Sequence, residues 1–228
     1  ALENAITDHA YYDRPGIWNS EIDQDKLIMA DIALFSGATN CLDYGCFNGP
    51  ILSVLKDKGI SVTGVDLSHL AFLTAFENIR KDLFFGDLLN IEADREFDFI
   101  FCLDILEHIN PNKVGNYVNK LASLLQNGGR IFINSPMYGV DRRFGGGHRS
   151  VLPEWTGDEL YRSLLCDKGG WPEHGHLIFA APIWWERLLN KYGLVRNIEF
   201  ESIIFERHLD HFEKTAGRRP FFVLEKAT

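Results

Sequence analysis

Between Asn40 and Pro136 the sequence alternates short apolar runs with stretches whose apolar residues recur at helical spacing. An apolar run of about 4 to 8 residues suits a buried strand, and strands that alternate with helices form a parallel sheet. The pattern predicts strands at Asn40–Tyr44, Ser61–Val65, Asp82–Phe85, Phe97–Leu103 and Gly129–Asn134. It predicts helices at Ile51–Lys58, Ser68–Arg80 and Asn112–Gln126, and helical spacing before this region predicts a leading helix at Ile22–Phe35. We therefore expect an α/β fold with helices on both faces of a mostly parallel sheet.

The last third of the chain begins with a long segment rich in glycine, Met137–His176, which contains one predicted helix at Pro153–Leu165. Loops of this length in a compact domain are commonly functional, so we expect a lid over a ligand site. A helix at Pro182–Lys191 and two strands, Val195–Arg207 and Phe221–Glu225, are predicted to follow. Because only a polar connection separates these two strands, we expect them to pair antiparallel.

Together these elements predict a doubly wound, Rossmann-like sheet with an antiparallel C-terminal strand. The length of 228 residues suits a single domain. Within it we assign an N-terminal arm and leading helix to 1–36, the ligand-binding core to 37–136, the insert or lid to 137–176, and the C-terminal helix and strands to 177–228.

The composition limits the classes of partner. The formal net charge is −9, and nucleic-acid binding needs a clustered excess of Lys and Arg, so we expect no nucleic-acid partner. Arg142, Arg143 and Arg149 are the best candidates for a local basic patch, although arginines in a glycine-rich loop more often form a solvated face. No apolar run approaches the roughly 18 to 20 residues that span a bilayer, and the N-terminus lacks a signal-peptide pattern. These observations predict a cytoplasmic protein without a membrane partner.

The four cysteines lack the spacing of metal ligands, and three of them lie in or beside apolar strand-like runs. We expect reduced, buried thiols. These cysteines are Cys41, Cys46, Cys102 and Cys166.

The segment from Cys41 to Pro50 carries the most specific signal for a ligand. In it an apolar strand runs into glycines and then into a helix, which brings backbone N–H groups and a helix N-terminus to a ligand. Gly45 and Gly49 allow close backbone approach, and Pro50 suits the first helical position. A dinucleotide-binding fingerprint would need glycine at positions 45, 47 and 50, whereas the chain has Phe47 and Pro50. This difference weakens the case for a nucleotide-dependent oxidoreductase, which stays an alternative.

Residues 42–49 read Leu-Asp-Tyr-Gly-Cys-Phe-Asn-Gly. They resemble the first motif of class I S-adenosylmethionine-dependent methyltransferases, a strand that ends in Leu-Asp-x-Gly-Cys-Gly-x-Gly. Phe47 departs from that motif by replacing its middle glycine, which alters what lies beside the methionine part of the cofactor. The resemblance implies that S-adenosylmethionine is the cofactor and that this turn binds it through Asp43, Gly45, Cys46, Phe47 and Gly49.

Two later segments also resemble elements of this family. Asp66 ends the second predicted strand, at about the spacing where a carboxylate accepts both ribose hydroxyls of a nucleotide. The resemblance implies that Leu67 and Ser68 pack against adenine, although Ser68 can equally be only the N-cap of the next helix. Asp87 and Leu88 resemble the family element in which an acidic side chain accepts from the adenine amino group and the following backbone N–H meets the ring.

Residues 97–108 resemble the fourth strand of the family together with a Leu-Glu-His sequence found in a subset with quinone, sugar and small-alcohol acceptors. In that subset the residues at Cys102 and Leu103 border the methionine end of the cofactor, and the histidine lies near the acceptor. The resemblance therefore implies a small-molecule methyl acceptor beside His108. Residues 176–194 resemble, more loosely, a late helix of the family and the strand after it.

A hydroxyl acceptor must lose its proton at some stage of methyl transfer. His108 is the natural general base because imidazole titrates near neutral pH, and Glu107 can orient it. Two other roles for His108 stay open, since it can be purely structural or it can bind a metal. In the metal alternative a helical turn places Asp104 and His108 on one face beside Glu107. His176 would then complete a site for a divalent ion that polarises the acceptor.

We predict an enzyme that methylates a hydroxyl oxygen of a sugar, phenol, quinone or similar metabolite. Two alternatives come from different functional classes. One is the oxidoreductase on the same fold, and the other is a non-catalytic cofactor-binding relative, which Phe47 keeps open. Fold alone does not identify the acceptor.

Overall fold

The structure is a computed structural model that describes residues 20–92, 95–143, 145–146, 161–162, 168 and 172–227. Its α-helices are α1 (Gln24–Phe35), α2 (Pro50–Asp57), α3 (His69–Leu73), α4 (Val114–Leu124), α5 (Pro182–Lys191), α6 (Ile198–Arg207) and α7 (Leu209–Lys214). Its longer strands are β1 (Asn40–Tyr44), β2 (Ser61–Asp66), β3 (Leu83–Phe85), β4 (Phe97–Leu103), β5 (Leu125–Asn134), β10 (Leu194–Arg196) and β11 (Phe221–Lys226). Two-residue strands are β6 (Val140–Asp141), β7 (Gly145–Gly146), β8 (Tyr161–Arg162) and β9 (Phe179–Ala180). Single 3₁₀ turns or short 3₁₀ helices lie at Glu77–Asp82, Leu88–Asn90, Leu106–His108, Glu173–Gly175 and Ala216–Arg218.

The seven longer strands form one sheet in the order β10-β11-β5-β4-β1-β2-β3. Strand β1 is parallel to both β2 and β4, and β2 is parallel to β3. Strand β11 is antiparallel to β5 and to β10. The prediction of a mostly parallel, Rossmann-like sheet with an antiparallel C-terminal strand is confirmed.

The described chain divides into two compact units. The first comprises the chain up to Cys102 together with Ser123–Arg130, and the second comprises Leu103–Ala122 and the chain from Ile131 onward. Fully buried side chains of the first unit include Met29, Ile32, Leu42, Leu52 and Phe99. Those of the second include Phe132, Trp185, Phe212, Phe221 and Phe222.

In the first unit Asp98 fixes the register between β4 and β1. Its carboxylate accepts from the backbone N–H of Thr39 at 2.8 Å and from that of Asn40 at 3.0 Å. These two N–H groups precede the pairing of β1 with β4, which begins at Cys41 and Phe99, so a side chain of β4 supplies their acceptors. The carboxyl end of β1, and the glycine turn after it, are thereby held in a defined position relative to β4.

The predicted helix at Ser68–Arg80 is wrong beyond its first turns. Helix α3 ends at Leu73, and a 3₁₀ helix at Glu77–Asp82 follows after a break. The break coincides with hydrogen bonds to other segments, since Asn48 O accepts from the backbone N–H of Phe76 at 3.3 Å. The side chain of Asn78 also donates to Ser53 O at 3.1 Å. Contacts distant in sequence therefore override a helical pattern that continues locally.

The boundary between α4 and β5 lies earlier than predicted, because the helix ends at Leu124 and the strand begins at Leu125. Gly128 has a φ of +78°, the left-handed conformation expected of the glycine after the helix. A Cβ on Gly129 would come within 2.9 Å of Asp98 O, so this second glycine allows close approach of two backbones. The predicted helix at Pro153–Leu165 lies mostly outside the described residues, and the two that are described, Tyr161 and Arg162, form a short strand.

In the second unit the predicted strand Val195–Arg207 is wrong after its first residues. Strand β10 ends at Arg196, and residues 198–207 form helix α6. The side chain of Asn197 accepts from the backbone N–H of Phe200 at 2.8 Å and so caps that helix. Glu201 and Ile204, three residues apart on α6, are both fully buried. The strand prediction failed here because a pattern of alternating polarity treats an acidic residue as exposed, whereas Glu201 is buried on a helix.

A buried ion network surrounds Glu201 and was not predicted from sequence. Arg196 donates to Glu201 Oε2 at 2.7 Å and to Asp141 Oδ2 at 2.7 Å, and Arg143 donates to Glu201 Oε2 at 2.9 Å. Side-chain exposure is 4% or less for all four residues. Burial opposes the charge of Arg196, but its hydrogen bonds to Glu201 and Asp141 outweigh that effect and raise its pKa. The candidate basic patch is therefore corrected for Arg143, which is buried, whereas Arg142 is exposed and Arg149 lies outside the described residues.

We expect Asp141→Asn to lower the free energy of unfolding by about 1.5 to 3 kcal/mol, the value of a hydrogen bond to a charged group. The substitution keeps the size of the side chain and removes one of the anions that offset two buried guanidinium groups. Urea unfolding followed by circular dichroism measures the change.

The matched control for this prediction is Asp210→Asn, which removes an exposed ion pair with Lys214. Exposed pairs contribute little, so we expect a change below about 0.5 kcal/mol. Equal unfolding midpoints for Asp141→Asn and the wild type would contradict a stabilising role for the network.

Candidate active site

In the turn after β1 the glycines adopt the left-handed region of backbone dihedral angles, as the sequence predicts. Gly45 has a φ of +81° and Gly49 a φ of +78°. The N–H groups of Gly45 and Cys46 both donate to Val65 O, at 2.8 and 3.2 Å, which ties the turn to β2. A Cβ on Gly49 would lie 2.1 Å from Ile79 Cδ1, so packing as well as backbone conformation requires glycine there.

Phe47 adopts the conformation of the glycine that it replaces. Its φ is +46°, one of three positive values at non-glycine residues among those described. A side chain in the left-handed region costs roughly 1 to 2 kcal/mol. The Phe47 N–H donates to Asp66 Oδ2 at 2.8 Å, which offsets part of that cost. The departure from the family motif therefore changes the side chain at this position and keeps a backbone path of the glycine type.

The positive φ of Phe47 leads to a prediction about the relative stability of two variants. Phe47→Gly and Phe47→Ala remove nearly the same side chain, but only glycine adopts a positive φ without a steric cost. We expect the glycine variant to be more stable than the alanine variant by about 1 kcal/mol. We also expect it to bind S-adenosylmethionine at least as well as the wild type, as calorimetry would measure. A glycine variant less stable than the alanine variant would contradict the prediction.

Asp66, at the end of β2, connects the glycine turn to the segment after the strand. Its Oδ2 accepts from Phe47 N, and its Oδ1 accepts from Ser68 N at 2.7 Å. The Ser68 hydroxyl accepts from Ala71 N at 3.1 Å, so the predicted N-cap role of Ser68 is confirmed. Charge-assisted bonds to two backbone N–H groups hold the Asp66 carboxylate in one orientation.

An open, shallow cleft lies beside this carboxylate in the first unit, with about 170 Å³ of empty space when the adjoining solvent is included. Its lining includes the predicted residues Cys46, Phe47, Asp66 and Ser68, and also Ala71, Phe72, Leu83, Phe84 and Phe85, which sequence reasoning missed. Phe84 and Phe85 are exposed although both are large and apolar. Two adjacent aromatic residues at the end of an edge strand are the sequence signal that could have identified them. Burial raises the pKa of the Cys46 thiol, so this part of the lining is uncharged.

The remaining predicted residues of the first unit lie around these elements. Leu67 is exposed at 55%, whereas Leu88 is fully buried. The Asp87 carboxylate accepts from Leu89 N at 2.9 Å and caps a 3₁₀ helix. Asp43 and Cys102 are buried within β1 and β4. Cys41, Cys46 and Cys102 are buried thiols that form no disulfide among the described residues, as predicted, and Cys166 lies outside the described residues.

The chain turns sharply after β4, in the second unit. Leu103 is half-buried, and Asp104 has a φ of +54°. Arg218 donates to Asp104 Oδ2 at 2.7 Å, and Asp104 N donates to Asn134 O at 2.8 Å. The 3₁₀ helix begins only at Leu106. The expected helical turn with Asp104 and His108 on one face is therefore wrong, because a left-handed residue cannot belong to that helix.

The ring of His108 is held by a backbone carbonyl. Its Nδ1 lies 3.1 Å from Gly175 O, a contact that favours the tautomer with the proton on Nδ1. Desolvation lowers the pKa of the ring, while the carbonyl of Gly175 and the carboxylate of Asp104 favour the protonated form. A neutral ring of this tautomer carries its basic lone pair on Nε2. The arrangement combines a neutral resting state with groups that stabilise the imidazolium.

Glu107 is fully buried beside His108 and has a different set of contacts from the one predicted. Its Oε2 accepts from the Ser135 hydroxyl at 3.0 Å. Burial, together with the charge of Asp104, raises the pKa of the Glu107 carboxyl well above its usual range. Because the carbonyl of Gly175 occupies the position of an orienting group at His108 Nδ1, orientation of that ring by Glu107 stays a prediction.

His176 joins these two residues. One ligand atom from each of Glu107, His108 and His176 lies within 4.8 Å of the other two. The His108 and His176 rings meet edge to face with centroids 4.9 Å apart. Asp104 instead pairs with Arg218, so the set of potential metal ligands differs from the one considered from sequence.

A family model described as a methyltransferase domain matches residues 20–195. The chain belongs to this methyltransferase family. A ubiquinone biosynthesis O-methyltransferase from Coxiella burnetii is 27% identical over 187 residues, which cover 73% of this chain and 76% of that protein. A solved S-adenosylmethionine-dependent methyltransferase from Clostridium acetobutylicum has the same fold, with a TM-score of 0.61 at 14% identity over 99% of this chain and 100% of that one. An amino pentose methyltransferase from Micromonospora echinaspora, solved with S-adenosylmethionine bound, has a TM-score of 0.59 at 16% identity and 97% coverage of both chains.

These findings confirm a class I methyltransferase that uses S-adenosylmethionine, and they leave the oxidoreductase alternative without support. Assignment of this methyltransferase to the subset with a Leu-Glu-His sequence stays a prediction. No described helix combines the length and the apolar character that a bilayer-spanning segment needs.

Proposed function

We propose that this S-adenosylmethionine-dependent small-molecule methyltransferase methylates a hydroxyl oxygen and that His108 takes the hydroxyl proton. One observation carries the proposal, the half-buried imidazole whose Nδ1 faces Gly175 O and whose pKa is lowered. A neutral imidazole accepts a proton readily, and the adjacent carbonyl and Asp104 carboxylate stabilise the cation that results. A neutral amine acceptor already has a nucleophilic lone pair, so its methylation depends less on a general base than methylation of a hydroxyl does.

When bound, the cofactor would supply an electrophilic methyl group on a sulfonium, with the neutral thioether as leaving group when the acceptor oxygen takes the methyl group. The residues of the first unit suit its adenosine part, since they combine a left-handed backbone turn, an oriented carboxylate and an exposed aromatic surface along one cleft. We assign Asp66 to the ribose hydroxyls and Asp87 to the adenine amino group. The other residues assigned to cofactor binding are Asp43, Gly45, Cys46, Phe47, Gly49, Leu67, Ser68, Leu88, Cys102 and Leu103.

The residues of the second unit supply proton transfer and alignment. With acceptor and cofactor bound, His108 Nε2 would take the proton that the hydroxyl loses on methylation. The Nδ1 contact with Gly175 O sets the plane of the imidazole ring. Much of the rate arises from alignment of the reacting atoms, and the base adds about 100- to 10,000-fold.

The relatives support a hydroxyl acceptor. The curated relative from Coxiella burnetii is an O-methyltransferase of ubiquinone biosynthesis. We therefore rank phenol or quinol hydroxyls first and sugar hydroxyls second.

A mass-spectrometric screen tests this proposal. The enzyme is incubated with S-adenosylmethionine and four matched panels of metabolites, which present phenols, sugar hydroxyls, amines and carboxylates. We expect a gain of about 14 mass units in a hydroxyl panel. S-adenosylmethionine with an isotopically labelled methyl group would confirm the source of the added group. Methylation confined to amines or carboxylates would contradict the proposal.

A further inference from the structure

Phe47 places an aromatic residue on the glycine turn, although its backbone φ of +46° favours glycine. Strained residues persist where the surrounding structure holds them, and they cluster at ligand sites. Phe47 is half-buried and lines the cleft together with Asp66. The hydrogen bond from Phe47 N to Asp66 Oδ2, at 2.8 Å, fixes the two residues side by side. An aromatic side chain is therefore kept, at a cost in backbone strain, next to the oriented carboxylate.

Two other aromatic residues of the cleft, Phe84 and Phe85, lie on β3 and are held by local contacts. A Cβ on Gly86 would lie 2.8 Å from Phe84 Cε1, so this ring packs against the chain just after the strand. The Phe85 ring meets the ring of His69 edge to face, with centroids 5.9 Å apart. Both phenylalanines remain exposed, as a surface that stacks on a planar base requires. Phe47, on a different element, is available to another part of the cofactor.

The chemistry of the cofactor indicates which part that is. A single methylene group joins the sulfonium to the ribose, and we assign the ribose hydroxyls to Asp66. The sulfonium carries a positive charge, whereas the same sulfur is a neutral thioether in the product, S-adenosylhomocysteine. The face of an aromatic ring attracts a cation, and a thioether prefers the edge of a ring. An aromatic ring beside Asp66 can therefore distinguish the cofactor from the product by charge.

We propose that Phe47 is a specificity-determining residue whose aromatic ring favours the charged cofactor over the neutral product. This inference rests on the proposed assignment of Asp66 to the ribose. Among the described residues that line the cleft, Asp66 is the only carboxylate. Burial raises the pKa of the Cys46 thiol and keeps it neutral, so the thiol does not attract the sulfonium as a second anion. By weakening the relative affinity for the product, the ring lessens product inhibition during turnover.

Calorimetric titration of the full chain with S-adenosylmethionine and with S-adenosylhomocysteine tests the proposal without any acceptor or activity assay. Phe47→Leu keeps an apolar side chain and removes the aromatic ring. We expect it to reduce the preference for the cofactor, taken as the ratio of the two dissociation constants, by about 2- to 30-fold. Phe47→Tyr retains a ring and should keep the ratio within about twofold of the wild type. Phe47→Gly should lose the preference as the leucine variant does, because the product gains more affinity than the cofactor.

A third ligand separates charge from shape. Sinefungin carries a protonated amine in place of the methylated sulfur. We expect Phe47→Leu to reduce its affinity relative to that of S-adenosylhomocysteine, as for S-adenosylmethionine. A reduction for S-adenosylmethionine alone would assign the effect to the methyl group and would overturn recognition of charge.

The matched control is Phe85→Leu, the same substitution in the same cleft but on β3. It should weaken both ligands alike and leave their ratio unchanged, and thermal unfolding checks that every variant is folded. A wild-type ratio in Phe47→Leu would overturn the proposal, and an equal change in Phe85→Leu would overturn the choice of Phe47. Because no acceptor is present, failure of the proposed hydroxyl methylation does not affect this test. Failure of the ribose assignment is detected separately, by wild-type cofactor affinity in Asp66→Ala.

Discussion

Replacement of His108 by glutamine is expected to lower turnover by about 100- to 10,000-fold, the usual loss when a general base is removed. Glutamine keeps a neutral polar group of similar length, and it has no basic lone pair with which to accept the hydroxyl proton. Affinity for S-adenosylmethionine should not change, because the residues assigned to the adenosine lie in the first unit. Initial rates and calorimetry with the cofactor measure the two quantities.

His211→Gln is the matched control, since it removes a half-buried imidazole on α7 that lies outside the cluster of Glu107, His108 and His176. All rates are measured with a chelator present, so that metal occupancy does not contribute. If His108→Gln turns over within about threefold of the wild type, His108 is structural, and alignment of the acceptor is the main source of catalysis.

Replacement of Asp66 by alanine is expected to abolish practical affinity for S-adenosylmethionine. Each hydrogen bond to a charged group contributes about 1.5 to 3 kcal/mol, so each lost ribose bond weakens binding by roughly 10- to 150-fold. Asp66 also accepts from the N–H groups of Phe47 and Ser68, and its removal releases the glycine turn as well. Calorimetric titration of the cofactor measures the loss.

Asp66→Asn separates these two effects. The amide retains the size of the side chain and one oxygen that can accept from the turn, but it loses the negative charge. We expect its affinity to lie between those of the alanine variant and the wild type, with less loss of thermal stability than alanine causes. Wild-type affinity in Asp66→Ala would remove Asp66 from the cofactor site.

Several elements of the fold were predictable because their signal is local. Strands β1 and β4 and helix α5 have the bounds that their apolar patterns predict. A buried strand needs a short continuous apolar run, and a helix after Pro182 needs only that residue and the spacing that follows it. The left-handed turn at Gly45 and Gly49 was predictable for the same reason.

Elements that depend on distant partners were predicted less well. Residues 198–207 form a helix whose buried Glu201 is satisfied by Arg143 and Arg196. The sequence around Glu201 contains no sign of those partners, which lie in other elements. The helix predicted after Ser68 breaks because Asn48, on the glycine turn, accepts from the N–H of Phe76.

The candidate site likewise has some features that the local sequence predicts and others that depend on distant partners. The sequence by itself determined which residues follow the strands, and so it determined the glycine turn, Asp66 and His108, because strand ends and turn residues are encoded by neighbours in the chain. Only the tertiary structure decided that Gly175 O meets His108 Nδ1, that His176 lies beside Glu107 and that Glu107 Oε1 is buried without a partner among the described residues. These contacts join segments more than 60 residues apart in the chain, as the separation of His108 and Gly175 illustrates. Their physical cause is packing and hydrogen bonding between elements, which no local pattern of residues encodes.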